Sequence, residues 1–233
     1  MAADDHAYKE AYYSARQKVF GAEDYSHRQA LGERELKTIG QLAGLSGNPG
    51  IFAPDPGPAI LLDAGCGDKY IERATRDRGL TYIGIDIEDV NFERDPMPFA
   101  DNSIDIFVSL AVLEHVEPGN FLSEALRVLK PGGTIFLSTP NFQMDFKNFY
   151  NDATHIRPYT PKGLEATLRV MGFTDINVYP CLRCKPDWYY QGKSRFWKAY
   201  YLLPFRGDNR WAPEFLKGHA RGLFGMARKP HGT

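Results

Sequence analysis

Leu61 to Lys69 reads LLDAGCGDK: an apolar run that ends on Asp63 and meets two glycines, Gly65 and Gly67. Glycine adopts backbone conformations closed to other residues and lets a chain pass close to a ligand. The run therefore reads as a strand, Ala59 to Asp63, turning sharply into a helix over Tyr70 to Gly79. The pattern then repeats. Strands are expected at Thr81–Asp86 (TYIGID), Ile104–Leu110 (IDIFVSL), Thr134–Ser138 (TIFLS), Phe173–Tyr179 and Gly222–Ala227. Helices are expected at Asn120–Lys130, stopped by Pro131-Gly132-Gly133, and at Pro161–Met171, with Gly172 just beyond its end. Strands alternating with helices imply right-handed crossovers and a mainly parallel sheet. Such sheets bind ligands beyond the carboxyl ends of their strands, where the strand order reverses.

The ends of the chain differ from this middle. Residues 1–45 read as helical, with Leu31, Leu36, Ile39, Leu42 and Leu45 at the spacing of one helix face. Residues 46–58, SGNPGIFAPDPGP, read as a linker. We therefore divide the chain into a helical cap and linker over 1–58 and an α/β domain over 59–233. An aromatic-rich insertion over 180–215 carries Trp188, Tyr189, Tyr190, Trp197 and Tyr200. With 43% hydrophobic and 24% charged residues the chain is a folded globular protein rather than a disordered one. A net charge of −1 gives no footing for a general polyanion binder, so nucleic acid is not an expected partner. No apolar stretch nears the roughly 18 residues of a membrane helix, and Met1 to Glu10 lacks an apolar leader core. A cytoplasmic location without a membrane partner is the expectation. Cys181 and Cys184 form a lone C-x-x-C, read as two loop cysteines, and no metal is assigned.

Asp86 closes the second strand, 23 residues after Asp63. An acid at that tip accepts hydrogen bonds from both hydroxyls of a ribose. Glycine loop and acid together describe a nucleoside site without choosing between a dinucleotide and S-adenosylmethionine. Four motifs choose. They are Asp63-Ala64-Gly65-Cys66-Gly67, Met97-Pro98-Phe99-Ala100-Asp101-Asn102-Ser103-Ile104-Asp105, Leu113-Glu114-His115 and Leu129-Lys130-Pro131-Gly132-Gly133. In this order and spacing the chain resembles the class I S-adenosylmethionine-dependent methyltransferases over about residues 59–179, and most closely their small-molecule and glycan-modifying members. The resemblance implies a Rossmann-like, doubly wound α/β fold. Its sheet would have seven strands, mainly parallel, with an antiparallel last strand.

The resemblance also implies residue roles. Asp63 would orient the glycine loop, and Gly65 and Gly67 would approach the methionyl part of S-adenosylmethionine. Asp86 would hold the ribose hydroxyls, with Ile87 beside adenine. Asn91 would accept from the adenine amino group, and the backbone N–H of Phe92 would reach a ring nitrogen, with Asp95 as the rival position. Leu110 would offer a backbone carbonyl. Lys69 stands where relatives often carry a third glycine, and Tyr70 breaks the G-x-G-x-x-G of a dinucleotide site.

The acceptor side follows the last parallel strand. The stretch from Asp152 to Phe173 resembles a loop that caps the acceptor pocket in the same family. His155 is the expected general base, since a neutral imidazole takes a hydroxyl proton near pH 7. His115 is a second catalytic candidate, with a purely structural contact as the rival reading. Arg157 and Tyr159 are candidate pocket residues. N-terminal aromatics (Tyr8, Tyr12, Tyr13, Tyr25) with Arg28 would close over the cofactor. The aromatics of the insertion would stack on a sugar or flat aglycone, or pack a subdomain or a homodimer interface. The expected activity is O-methylation of a sugar or natural-product hydroxyl. The rival readings are an RNA or protein methyltransferase, a non-catalytic S-adenosylmethionine-binding scaffold and, against Tyr70, a nicotinamide dehydrogenase.

Overall fold

The computed structural model describes residues 5–20, 25–45, 58–180, 203–206, 209, 211–213 and 216–231. Two helices come first, α1 (Asp5–Phe20) and α2 (Tyr25–Leu45). The β–α alternation then runs β1 (Ile60–Ala64), α3 (Glu72–Arg76), β2 (Thr81–Ile85), β3 (Ile104–Leu110), α4 (Pro118–Val128), β4 (Leu129–Pro140), α5 (Phe142–Phe149), α6 (Pro161–Val170) and β5 (Thr174–Pro180). A short parallel pair, β6 (Phe205–Arg206) and β7 (Lys217–His219), precedes β8 (Gly222–Arg228).

The main sheet has the order β2-β1-β3-β4-β8-β5. β2, β1, β3 and β4 are parallel, and β8 runs antiparallel to both β4 and β5. The doubly wound architecture and the antiparallel last strand are as the motifs imply. The sheet differs in number: among the described residues it has six strands, not seven. Residues 86–103 after β2 form turns rather than a strand. The strand order reverses at β1, with β2 on one side and β3 on the other, and in such sheets ligands bind beyond the carboxyl ends of the strands at that point.

Strand residues alternate between two cores, as a period of two requires. On one face Leu62, Phe107, Ile135 and Leu137 meet Phe121, Leu122 and Val128 of α4 and Leu164 and Leu168 of α6, all fully buried. On the other face Leu61, Ile106, Val108 and Phe136 meet Leu36, Ile39 and Leu42 of α2 and Ile71 and Ala74 beside and in α3. Complete burial of each such side chain contributes about 1.5–3 kcal/mol. Leu36, Ile39 and Leu42 share a buried face, as their spacing predicts, and α2 packs by it against this side of the sheet. The side chain of Leu45 lies outside the described residues, and so does most of the aromatic insertion with Cys181 and Cys184.

Several boundaries moved. The helix expected to run to Lys130 stops at Val128, because Leu129 already pairs with Ile104 as the first residue of β4. The helix expected from Tyr70 begins only at Glu72. Lys69, in the place of a third glycine, has φ 57°, the left-handed conformation that glycine takes without strain. The chain thus keeps the glycine turn with a lysine in it. The helix α5 was not anticipated.

Candidate active site

The glycine loop is fixed from β2. Gly65 N–H and Cys66 N–H both donate to the carbonyl of Ile85, at 2.8 and 3.1 Å. Gly67 N–H donates to Asp86 Oδ2 at 2.5 Å, and Ile87 N–H donates to Asp86 Oδ1 at 2.7 Å. The Asp86 carboxylate therefore joins the glycine loop to the turn after β2, and each of its oxygens keeps a lone pair for a further donor. Asp86 is half-buried. Gly65 has φ 83° and Gly67 φ 50°. The two glycines serve different ends. A Cβ on Gly65 would overlap Val112 Cγ2, whereas a Cβ on Gly67 would meet no atom within 4 Å. Gly65 thus lets two loops touch, and Gly67 faces open space beside Asp86. A loop with no side chain at Gly67, open space beside it and a half-buried acid with spare lone pairs fit the nucleoside end of a cofactor.

Asp63 sits behind this loop. It is 2% exposed and accepts a hydrogen bond from Tyr82 Oη at 2.8 Å. Burial pushes its carboxyl up to about 7, against the pull of the Tyr82 hydroxyl. The N–H groups of Gly65, Cys66 and Gly67 are held by Ile85 and Asp86 rather than by Asp63. Burial likewise pushes the Cys66 thiol up to about 12, so it is not a nucleophile.

The residues expected around adenine are partly committed elsewhere. Asn91 Oδ1 accepts from Glu93 N–H at 3.0 Å, closing its own turn. The Phe92 ring is 6% exposed and packs on Phe121 at 5.3 Å between centroids. Its carbonyl takes a bond from Asn120 Nδ2 at 3.0 Å. Asp95 Oδ2 accepts from Asn91 N–H at 3.3 Å. Ile87 is half-buried, and Leu110 is the last residue of β3, paired with Ser138.

Beyond β3 the chain bends sharply. Ala111 has φ 58° and donates to the Ser138 carbonyl at 3.0 Å, and Leu113–His115 form a single 3-10 turn. The Glu114 carbonyl accepts from Ile156 N–H at 2.9 Å and from Arg157 N–H at 3.1 Å. These bonds tie the loop after α5 to the turn after β3, and they deliver His155 to His115 with 4.6 Å between ring centroids. His155 Nδ1 lies 2.5 Å from the Phe149 carbonyl, so it carries the proton and Nε2 keeps the lone pair. His115 Nδ1 lies 2.9 Å from Thr154 Oγ1 and 3.0 Å from Tyr13 Oη. The Thr154 hydroxyl itself donates to Asp152 Oδ1 at 2.6 Å. Burial, and then the neighbouring His155, push His115 down to about 4, so it is neutral at neutral pH. Burial pushes the Asp152 carboxyl up, but the bonds from Thr154 and the two histidines outweigh it and leave it below the ordinary range.

Glu114 was not expected at the site. It is 1% exposed, burial pushes its carboxyl up to about 7, and Oε2 has no hydrogen-bond partner. Its Oε1 stands 3.9 Å from His115 Nε2. Glu114, His115 and His155 each place a ligand-type atom within 4.8 Å of the other two. Forty residues separate the two histidines, which is why the sequence did not disclose the cluster. Arg157 pairs with Glu117 rather than standing free, and its buried Nε has no partner. Tyr159 is 3% exposed with its hydroxyl unpartnered, and burial raises that hydroxyl above its ordinary value.

Helix α1 lies over this cluster by one face. Lys9 Nζ reaches Glu93 at 3.3 Å, and Tyr13, one turn on, reaches His115 and Thr154. Of the other N-terminal aromatics, Tyr12 stacks between Tyr8 and Tyr13, and Tyr8 is exposed. The side chains of Tyr25 and Arg28 lie outside the described residues.

The profile of a methyltransferase domain family matches residues 48–178, more than half of the chain. The chain belongs to the methyltransferase domain family. A methyltransferase of Mycobacterium leprae, described as uncharacterized, is 38% identical over 97 residues, 34% of this chain and 36% of the relative. The match to such curated relatives thus spans about a third of their length. The crystal structure of a SAM-dependent methyltransferase from Archaeoglobus fulgidus superposes with a TM-score of 0.57 at 18% identity, over 94% of this chain and 99% of that one. The Haemonchus contortus phosphoethanolamine N-methyltransferase 2 in complex with S-adenosyl-L-methionine gives 0.50 at 21% identity, over 77% and 50%. Both likenesses concern the fold. The methyltransferase is of class I, and its cofactor is S-adenosylmethionine. Among the described residues no helix is long and apolar enough to cross a membrane.

Proposed function

We propose that this methyltransferase transfers the methyl group of S-adenosylmethionine to a hydroxyl of a small molecule, a sugar or a natural product. The observation that carries the reading is the contact of Gly65 with Val112. It sets the glycine loop against the turn that bears Glu114 and His115. A cofactor loop and a buried cluster of proton-accepting groups then share one crevice.

The residue roles follow from the donor set. Gly67 would present open backbone to the methionyl part, and Asp86 would accept from the ribose hydroxyls with its remaining lone pairs. The Ile87 side chain and the turn at Asn91 and Phe92 would border adenine, and Leu110 would offer its carbonyl. When bound, the cofactor supplies a methyl group on a sulfonium, a strong electrophile that needs a positioned nucleophile more than covalent help. An alcohol, unlike an amine, must lose a proton as it reacts. His155 Nε2 is the lone pair that receives it, because Nδ1 is held by Phe149. His115, neutral and held by Thr154 and Tyr13, would position His155 and the acceptor. Arg157 and Tyr159 would line the acceptor side.

The test measures formation of S-adenosylhomocysteine with a panel of hydroxyl and amine acceptors. Turnover restricted to hydroxyl acceptors supports the reading. Turnover restricted to amines, RNA or protein would replace it.

A further inference from the structure

We propose that Glu114, His115 and His155 form a binding site for a divalent transition-metal cation. Among the described residues this is the one group of three that brings carboxylate and imidazole donors within 4.8 Å of each other. One carboxylate and two imidazoles suit zinc, manganese or iron better than magnesium or calcium, which prefer oxygen. Three protein ligands leave positions open for an exogenous oxygen.

Three features of the surroundings support ligation. The buried Glu114 Oε2 has no hydrogen-bond partner, so one carboxylate oxygen in the cluster is unspent. Each histidine has its Nδ1 engaged, His155 with the Phe149 carbonyl and His115 with Thr154, which is bonded in turn to Asp152. Metal-binding histidines are held in this way, by a second partner on the nitrogen away from the ion. The engagement directs both Nε2 atoms to the remaining role, and His115 Nε2 already stands 3.9 Å from Glu114 Oε1. Donors around a tetrahedral cation lie about 3.4 Å apart, so the cluster closes by roughly an ångström on loading.

The inference rests on the proposed hydroxyl acceptor only for its consequence. A hydroxyl at an open position would be acidified by the cation. The O–H bond would break and its proton pass to water; the oxygen's electron pair would form the O–CH3 bond as the S–CH3 bond breaks, its pair returning to sulfur and S-adenosylhomocysteine leaving. In this form of the site His155 is a ligand, and the cation takes over the task of removing the proton.

The experiment is direct binding. The chain, stripped with chelator, is titrated with zinc by calorimetry and with cobalt by visible absorption, which reports imidazole and carboxylate ligation. One cation per chain with micromolar affinity or better is expected, weakened at least about tenfold by His155→Ala. Glu114→Gln is the second variant, and circular dichroism checks that each folds. Should Glu114→Gln fail to fold, His155→Ala still decides, since His155 lies at the half-buried edge of the cluster. Absence of binding in the wild type, or equal affinity in His155→Ala, overturns the site. If no cation binds while His155→Ala still lowers turnover, the inference falls and the histidine base stands. If a cation binds and no hydroxyl is methylated, the metal site stands and the proposed function falls.

Discussion

Gly65 and Val112 touch so closely that no side chain fits between them: a Cβ on Gly65 would lie inside the Val112 methyl group. Gly65 also has φ 83°. Gly65→Ala therefore incurs both a left-handed backbone, about 1–2 kcal/mol, and an overlap in a packed loop. A loss of roughly 2–4 kcal/mol in chemical denaturation is expected. Gly67→Ala meets only the backbone cost, since its Cβ would project into open space. That variant should fold with a loss of about 1–2 kcal/mol and still bind S-adenosylhomocysteine at least tenfold more weakly, roughly 1.4 kcal/mol.

Asp86 holds two backbone N–H groups with its carboxylate, those of Gly67 and Ile87. Asp86→Asn keeps one acceptor oxygen and turns the other position into a donor. A charge-assisted hydrogen bond contributes about 1.5–3 kcal/mol. Cofactor affinity should fall by roughly 10- to 100-fold in calorimetry. Unchanged affinity would remove Asp86 from the ribose site.

Proton removal separates from cofactor binding. His155→Ala should lower kcat by about 10²–10⁴-fold with hydroxyl acceptors, whether its Nε2 takes the proton itself or holds the cation that acidifies the hydroxyl. The affinity for S-adenosylhomocysteine should change less than about twofold, because His155 belongs to the acceptor side. Equal kcat in wild type and variant between pH 6 and 9 would exclude the role.

Asp63 offers a pH test of the fold. Its folded pKa is raised from 3.8 to about 7, with burial the main cause. Between these values the folded chain binds a proton that the unfolded chain releases, so stability falls as pH rises from about 4 to about 7. Glu114, also raised to about 7, adds to the same trend, and His115, lowered to about 4, opposes it up to pH 6.5. Asp63→Asn keeps an acceptor for Tyr82 Oη and removes the ionisation. The difference in Tm between variant and wild type should therefore shift in favour of the variant on going from pH 5 to pH 8. A constant difference would contradict the buried, proton-linked state of Asp63.

The strands and the cofactor loop were legible because their causes are local. Apolar alternation, two glycines and acids at strand tips write themselves into a few adjacent residues. The seventh strand was carried over from the family, and the turns after Asp86 take its place in the sequence. The helix α5 has no clear sequence signal, because Phe146 is exposed and blurs its apolar face. The meeting of Glu114 and His115 with His155 was illegible for another reason. It depends on two hydrogen bonds from the 156–157 backbone to one carbonyl, and a carbonyl has no sequence signature. Tyr13 was named among several N-terminal aromatics, but only packing of α1 selects it. The commitment of Asn91 to its own turn was likewise hidden, although an Asn followed two residues later by a free N–H is a common turn signal.

The glycine loop and the turn after β3 are the place we assign to S-adenosylmethionine. Calorimetric titration of the full chain with S-adenosylhomocysteine, alongside Asp86→Ala, tests it most directly. One site of micromolar affinity is expected in the wild type, and binding at least about tenfold weaker in the variant. No detectable binding, or equal affinity in both proteins, would contradict it.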